Sequence, residues 1–199
     1  MVSKETCFFY IFVAFLLFFC LKIYYESDAY NLKCVISTVD GNKYCVRDRH
    51  KLDAAADLLA KATQTCKELV AYMKETHPDD ARTVRLVAGF NPQRINETLP
   101  TSELTAYTEN KGEKLAFCLH TERQGDTLID LHTLTFVAIH ELTHVMTEAV
   151  GHGNVFWENF KFLLGCAKEG GIYDTTDYKK NPKSYCGMEI NDNPYFDFN

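Results

Sequence analysis

Basic residues are too few in this chain for it to hold a nucleic acid. Its 21 Lys and Arg are outnumbered by 27 Asp and Glu, giving a formal net charge of −6, whereas a phosphate-binding face needs clustered cations. No internal repeat or low-complexity tract interrupts the sequence, which excludes a solenoid or a repetitive tail. A signal-peptidase site is also missing. The apolar N-terminal stretch is followed by Lys22-Ile23-Tyr24-Tyr25 and not by a small-x-small tripeptide. At 199 residues, 46% of them hydrophobic, the chain supports one globular domain with its own core and is too short for two of ordinary size.

That N-terminal stretch carries no charge from Cys7 to Leu21, and it extends to Tyr25 if Lys22 snorkels outward. Over residues 7–25, at about 1.5 Å per residue, it makes roughly 28 Å of helix, so the sequence predicts a single-pass transmembrane anchor. A short tail (1–6) precedes the anchor, and a linker (26–33) leads into one domain over 34–199. On this reading the domain is tethered to a membrane, with the lumenal or extracytosolic side favoured. The cysteines beyond the span suit an oxidising lumen, and the sequon Asn96-Glu97-Thr98 is usable only there.

Cys34 and Cys45 flank Asp40-Gly41. A two-residue Asp-Gly turn would pair Val39 with Asn42 and set Cys45 opposite Ile36, so the register argues against a Cys34–Cys45 disulfide. Cys66 and Cys166 fall on apolar helix faces, where a buried free thiol is the expected state.

The chain reads as a hairpin (34–39 and 43–46), an amphipathic helix (53–74), a short helix (81–90) and a loop (91–100). A second hairpin (104–108 and 113–120) follows. An extended polypeptide can bind by adding along a sheet edge, and strand 113–120 or its partner is the candidate edge. Asp130 caps a long helix over 131–150, Gly151 closes it, and a further helix runs from Asn154 to Glu169. The segment 172–199 is rich in aromatics and has no clear period.

The chemistry concentrates on His140-Glu141-Leu142-Thr143-His144 inside the long helix. Residues four apart share a helical face, so His140 and His144 can present two imidazoles to one metal ion, with Glu141 one position round. Two neutral imidazoles suit a catalytic zinc with an open position, and the adjacent carboxylate can take a proton from attacking water. A third protein ligand is needed, and His152, Glu158 and Glu169 compete for the role. A matching nitrogen set and a glycine-flanked turn favour His152. The metzincin pattern is absent, because Gly three and His six residues after the second His are replaced by Thr147 and Val150. Tyr185 and Tyr195 are candidate oxyanion partners or core aromatics, and His132 is a candidate neighbour of the site or a surface residue.

The run His140-Glu-Leu-Thr-His144, continued by His152 and Phe156-Trp157, resembles the WLM family of zinc metallopeptidases and the related SprT-like proteins. Residues 40–194 are similar to predicted metallopeptidases of large DNA viruses, especially those infecting algae. The shared stretches include Val-Asp-Gly-Asn-Lys-Tyr (39–44), Glu-Asn-Lys-Gly-Glu-Lys (109–114), Phe-Trp-Glu-Asn-Phe (156–160) and Tyr-Cys-Gly-Met (185–188). The resemblance implies one catalytic Zn2+ on His140, His144 and His152, with Glu141 as the catalytic carboxylate and a protein or peptide as substrate. The expected fold is α+β and zincin-like, of the minimal gluzincin or SprT type, with a central HExxH helix and a small antiparallel sheet behind the membrane anchor. The alternative is a non-enzymatic membrane or virion interaction protein whose zinc site is structural or vestigial. A fourth protein ligand would favour it.

Overall fold

The computed structural model describes residues 4–26 and 32–197. Most of the expected 26–33 linker and part of the 1–6 tail lie outside the described residues. Among the described residues the architecture is a mixture of α and β: five α-helices, three small sheets and a 3-10 turn at Pro194–Phe196.

Helix α1 spans Lys4–Glu26, and its Phe8, Phe12, Phe18 and Ile23 side chains are exposed. The anticipated transmembrane anchor over residues 7–25 is overturned, and with it the single-pass membrane location. Among the described residues no helix is long and apolar enough to cross a membrane. The physical reason is length between charges. Lys4 and Glu5 bound the run on one side and Lys22 on the other, leaving residues 6–21, about 24 Å of helix against a hydrocarbon core of roughly 30 Å.

Strands β1 (Leu32–Ile36) and β2 (Lys43–Arg47) pair antiparallel with Ile36 opposite Lys43 and Cys34 opposite Cys45. The register therefore differs from that of a two-residue turn. Asp40 accepts from the Asn42 backbone and side chain and from the Tyr44 hydroxyl, and the Ser37 N–H donates to the Asn42 carbonyl, so the reversal takes residues 37–42. This brings Cys34 and Cys45 together, and they form a disulfide. Cys66 and Cys166 are free and buried.

Helix α2 (Leu52–Thr76) buries Ala55, Ala56, Leu59, Ala62, Cys66, Leu69 and Met73, a three-and-four spacing that lays one stripe on the core. Helix α3 (Ala81–Gly89) starts at Asp80, whose carboxylate accepts from the Arg82 N–H at 2.8 Å. The central sheet has the order β3-β5-β4, with β3 at Ile95–Glu97, β4 at Ala106–Glu109 and β5 at Lys114–Phe117. It is mixed, because β3 runs parallel to β5 while β4 is antiparallel. The expectation of a small antiparallel sheet in a zincin-like frame is corrected accordingly. A short parallel strand inside the expected loop 91–100 completes the sheet, held by bonds from the Leu115 N–H to the Arg94 carbonyl and the Thr98 N–H to the Phe117 carbonyl.

Helix α4 (Leu131–Met146) is capped by Asp130, which accepts from the Thr133 N–H, and is buried around most of its circumference. It packs against α2, α3, the β4–β5 hairpin and helix α5 (Asn154–Glu169). A last hairpin, β6 (Lys183–Tyr185) and β7 (Met188–Ile190), turns through Cys186 and Gly187, both with positive φ.

A Cys118–Cys186 disulfide ties that hairpin to the end of β5. Its partners are 68 residues apart in sequence, so the cross-link removes much of the unfolded chain's freedom, about 4 kcal/mol in the chain-entropy picture. The Cys118→Ala/Cys186→Ala chain is expected to lose stability of that order in urea unfolding. A loss under about 1 kcal/mol would show that loop closure contributes little.

Candidate metal centre

Helix α4 sets His140 and His144 one turn apart on the face toward α5, and residues 147–153 fold back to bring His152 over the same point. The His152 Nε2 lies 3.0 Å from His140 Nε2 and 3.1 Å from His144 Nε2. Hydrogen bonding alone does not account for both contacts, because one imidazole nitrogen either donates a single proton or accepts through a single lone pair. The arrangement is one that could hold a cation. Tetrahedral zinc with bonds of about 2.0–2.1 Å places its nitrogens roughly 3.3 Å apart, so the three side chains fit that ion. Among the described residues the cluster holds His140, His144 and His152 and no fourth ligand. The rivals Glu158 and Glu169 line a separate groove with His77 and Phe162.

Burial is the main cause that holds the imidazoles of His140 and His144 neutral, the form that ligates metal. It lowers His140 to about 3, with help from His144 and His152, and lowers His144 to about 4, with help from His152 and Lys111. Phe156 organises the rings, its centroid lying 4.8 Å from that of His140, 4.4 Å from His144 and 4.7 Å from His152. Trp157 stands outside it, 5.8 Å from His152. The Phe-Trp pair beside the third His thus has a physical role as the apolar wall of the cluster.

Glu141 is 4% exposed. Its Oε2 accepts from the Thr108 hydroxyl at 2.8 Å. Burial pushes its carboxyl up to about 7, against the lowering effect of that hydrogen bond. Such displacement toward neutrality is common where proton transfer is carried out.

The cluster opens into a cavity of about 910 Å³ between residues 105–111 on one side and 188–192 on the other, with Phe136, Val137 and Trp157 adding apolar wall. Of the two strands considered as an edge, β5 is central and its partner β4 is the outer strand facing this cavity. The bond from the Cys118 N–H to the Thr105 carbonyl fixes which residues bond inward, so Ala106 and Thr108 direct their backbone groups away from β5.

Tyr185 lines the cavity, but its hydroxyl donates to the Thr105 carbonyl at 2.9 Å and accepts from the Cys118 N–H at 3.1 Å, so it braces the wall. Tyr195 packs beside Lys168 on α5, and His132 bonds Thr176 and stacks on Tyr173. Thr108 and Lys111 stand outside the motif and are brought to it by the fold. Only Lys111 had a local signal, since it precedes Gly112 in a turn.

No family model and no solved structure matches the chain. Three relatives are viral proteins described as uncharacterised. One from Acanthamoeba polyphaga mimivirus is 26% identical over 171 residues, covering 84% of this chain and 85% of that protein. One from Invertebrate iridescent virus 6 is 37% identical over 82 residues, 41% of this chain and 44% of its own length. One from Invertebrate iridescent virus 3 is 32% identical over 99 residues, 50% and 57% respectively.

Proposed function

We propose that the chain is a zinc-dependent peptidase, with zinc on His140, His144 and His152 and Glu141 as general base. The observation that carries this reading is the convergence of three Nε2 atoms beside a buried carboxylate at the floor of one large cavity. The likeness of the motif to WLM and SprT-like peptidases points the same way. Zinc bound there would supply Lewis acidity, polarising a carbonyl and acidifying water. Glu141 takes the proton of the attacking water and later delivers it to the leaving amine. Thr108 holds one carboxylate oxygen in place, leaving the other for the water. The outer edge of β4 offers its free backbone groups to an extended polypeptide.

The rival reading as a structural site is disfavoured, since such sites usually close with four protein ligands and have no use for a buried carboxylate one residue from the first ligand. Metal analysis of the dialysed chain is expected to find about one zinc per molecule. Chelation should abolish cleavage of an unfolded protein substrate, and added zinc should restore it. A chain that takes up no zinc, or that keeps its zinc affinity after His152→Ala, would sink the assignment.

A further inference from the structure

Helix α4 ends at Met146, and the bend that follows has little packing of its own. Val150 is 91% exposed, and a Cβ added at Gly151 or Gly153 would meet no atom within 4 Å. Yet this bend carries the third imidazole of the cluster. What holds it is polar. The Lys111 ammonium donates to the Thr147 carbonyl at 2.7 Å and the Ala149 carbonyl at 2.9 Å, with the His144 carbonyl at 3.4 Å. Arg85 Nε donates to the Met146 carbonyl at 2.8 Å, and Asn159 Nδ2 to the Thr147 hydroxyl at 2.9 Å. Carbonyls at a helix C-terminus have no intrahelical donor and carry partial negative charge, so a cation there satisfies both needs.

Lys111 reaches them from a demanding position. It lies in the β4–β5 turn with φ +56°, between Asn110 at +46° and Gly112 at +109°. The turn is pressed onto the end of α3, since a Cβ at Gly112 would come 2.4 Å from the Gly89 carbonyl oxygen. A left-handed non-glycine residue costs free energy and persists only where surrounding contacts fix it. The turn is therefore a rigid base from which one ammonium pins the bend bearing His152.

We propose that Lys111 is a positioning residue for the metal centre, fixing the Thr147–Ala149 backbone so that His152 meets His140 and His144. The proposal rests on the zinc reading above. The test uses the full chain, with zinc affinity measured by competition against a chromophoric chelator and ligand geometry by the visible absorption of the cobalt-substituted protein. Lys111→Met is expected to weaken zinc binding by roughly 10-fold or more, as loss of ligand-orienting groups does, and to change the cobalt spectrum. Lys111→Arg, which keeps a cation of similar reach, should recover most of the affinity. In a His152→Ala background Lys111→Met should weaken zinc no further.

Two results would overturn it: unchanged zinc affinity in a less stable Lys111→Met protein, or an equal loss of affinity with and without His152. If Lys111→Met does not fold, Lys111→Gln enters the same cycle and decides it by the same criteria. Wild-type chain that binds no zinc defeats the zinc reading itself, whereas zinc-loaded wild type with an indifferent Lys111→Met defeats this inference alone.

Discussion

Glu141→Gln is expected to lower peptide hydrolysis by about 100-fold or more while leaving zinc content unchanged, because positioned general acid–base groups contribute in that range. The substitution is nearly isosteric. The carboxamide oxygen of the variant can still accept from the Thr108 hydroxyl, as the carboxylate does at 2.8 Å, and the imidazoles at 140, 144 and 152 are untouched. What disappears is the capacity to take a proton and return it. A 100-fold fall corresponds to about 2.7 kcal/mol of transition-state stabilisation, and it should fall on kcat with KM little changed.

Fold stability should move the other way or not at all. A buried carboxyl pushed up to about 7 is one that burial disfavours in its charged form, and groups kept for chemistry often cost stability. The decisive measurement pairs zinc analysis with turnover on the same preparation. Retained hydrolysis with retained zinc would remove Glu141 from the mechanism.

The convergence of the three imidazoles was legible because it is local. The i, i+4 spacing of His140 and His144 is fixed by helical geometry, and His152 follows a glycine that takes φ +84°. The rest of the surroundings depends on contacts distant in sequence. Thr108 meets Glu141 across 33 residues, and Lys111 meets Thr147 across 36. The lysine bonds to Thr147 and Ala149 also explain why α4 stops at Met146 and not at Val150, since Lys111 and Arg85 satisfy carbonyls that further helix would have used.

Strand β3 was invisible for a related reason. Its three residues show no period of their own, and pairing parallel to β5 supplies the order. The β1–β2 register departs from that of a two-residue turn because the Asp40 side chain accepts from Asn42 and Tyr44, which widens a turn that the Asp-Gly pair alone would close in two residues. At the N-terminus, Lys22 interrupts the apolar run, and the residues between charges are shorter than the expected span.

An effect on folding as large as that of the Cys118–Cys186 disulfide is expected at Glu97, the middle residue of the sequon. Its carboxylate is fully enclosed. Oε2 accepts from the Arg47 backbone N–H at 2.7 Å, Oε1 lies 3.4 Å from Arg47 Nε, and His120 Nδ1 approaches Oε1 at 3.1 Å. Arg47, 3% exposed, donates from that Nε to the Thr98 carbonyl and from its terminal nitrogens to the Thr98 hydroxyl and the carbonyls of Leu99 and Arg123. Those acceptors are neutral, so Glu97 is the one carboxylate set against the buried guanidinium in this network. Removing it leaves a charge out of water without its counter-charge, a change that typically costs 3–5 kcal/mol. Glu97→Ala is therefore expected to destabilise the chain by about that amount, a fall in Tm on the order of 10 °C. Glu97→Gln keeps an acceptor for the Arg47 N–H but not the charge, and should recover only part of the loss. The cluster joins β2, β3 and the segment after β5, and β5 pairs with β4, the wall of the cavity. Loss of Glu97 should thus loosen the β1–β2 hairpin and the sheet together, seen as faster amide exchange in both. A Glu97→Ala chain within about 1 kcal/mol of wild type would mean that the backbone carbonyls alone suffice to hold Arg47.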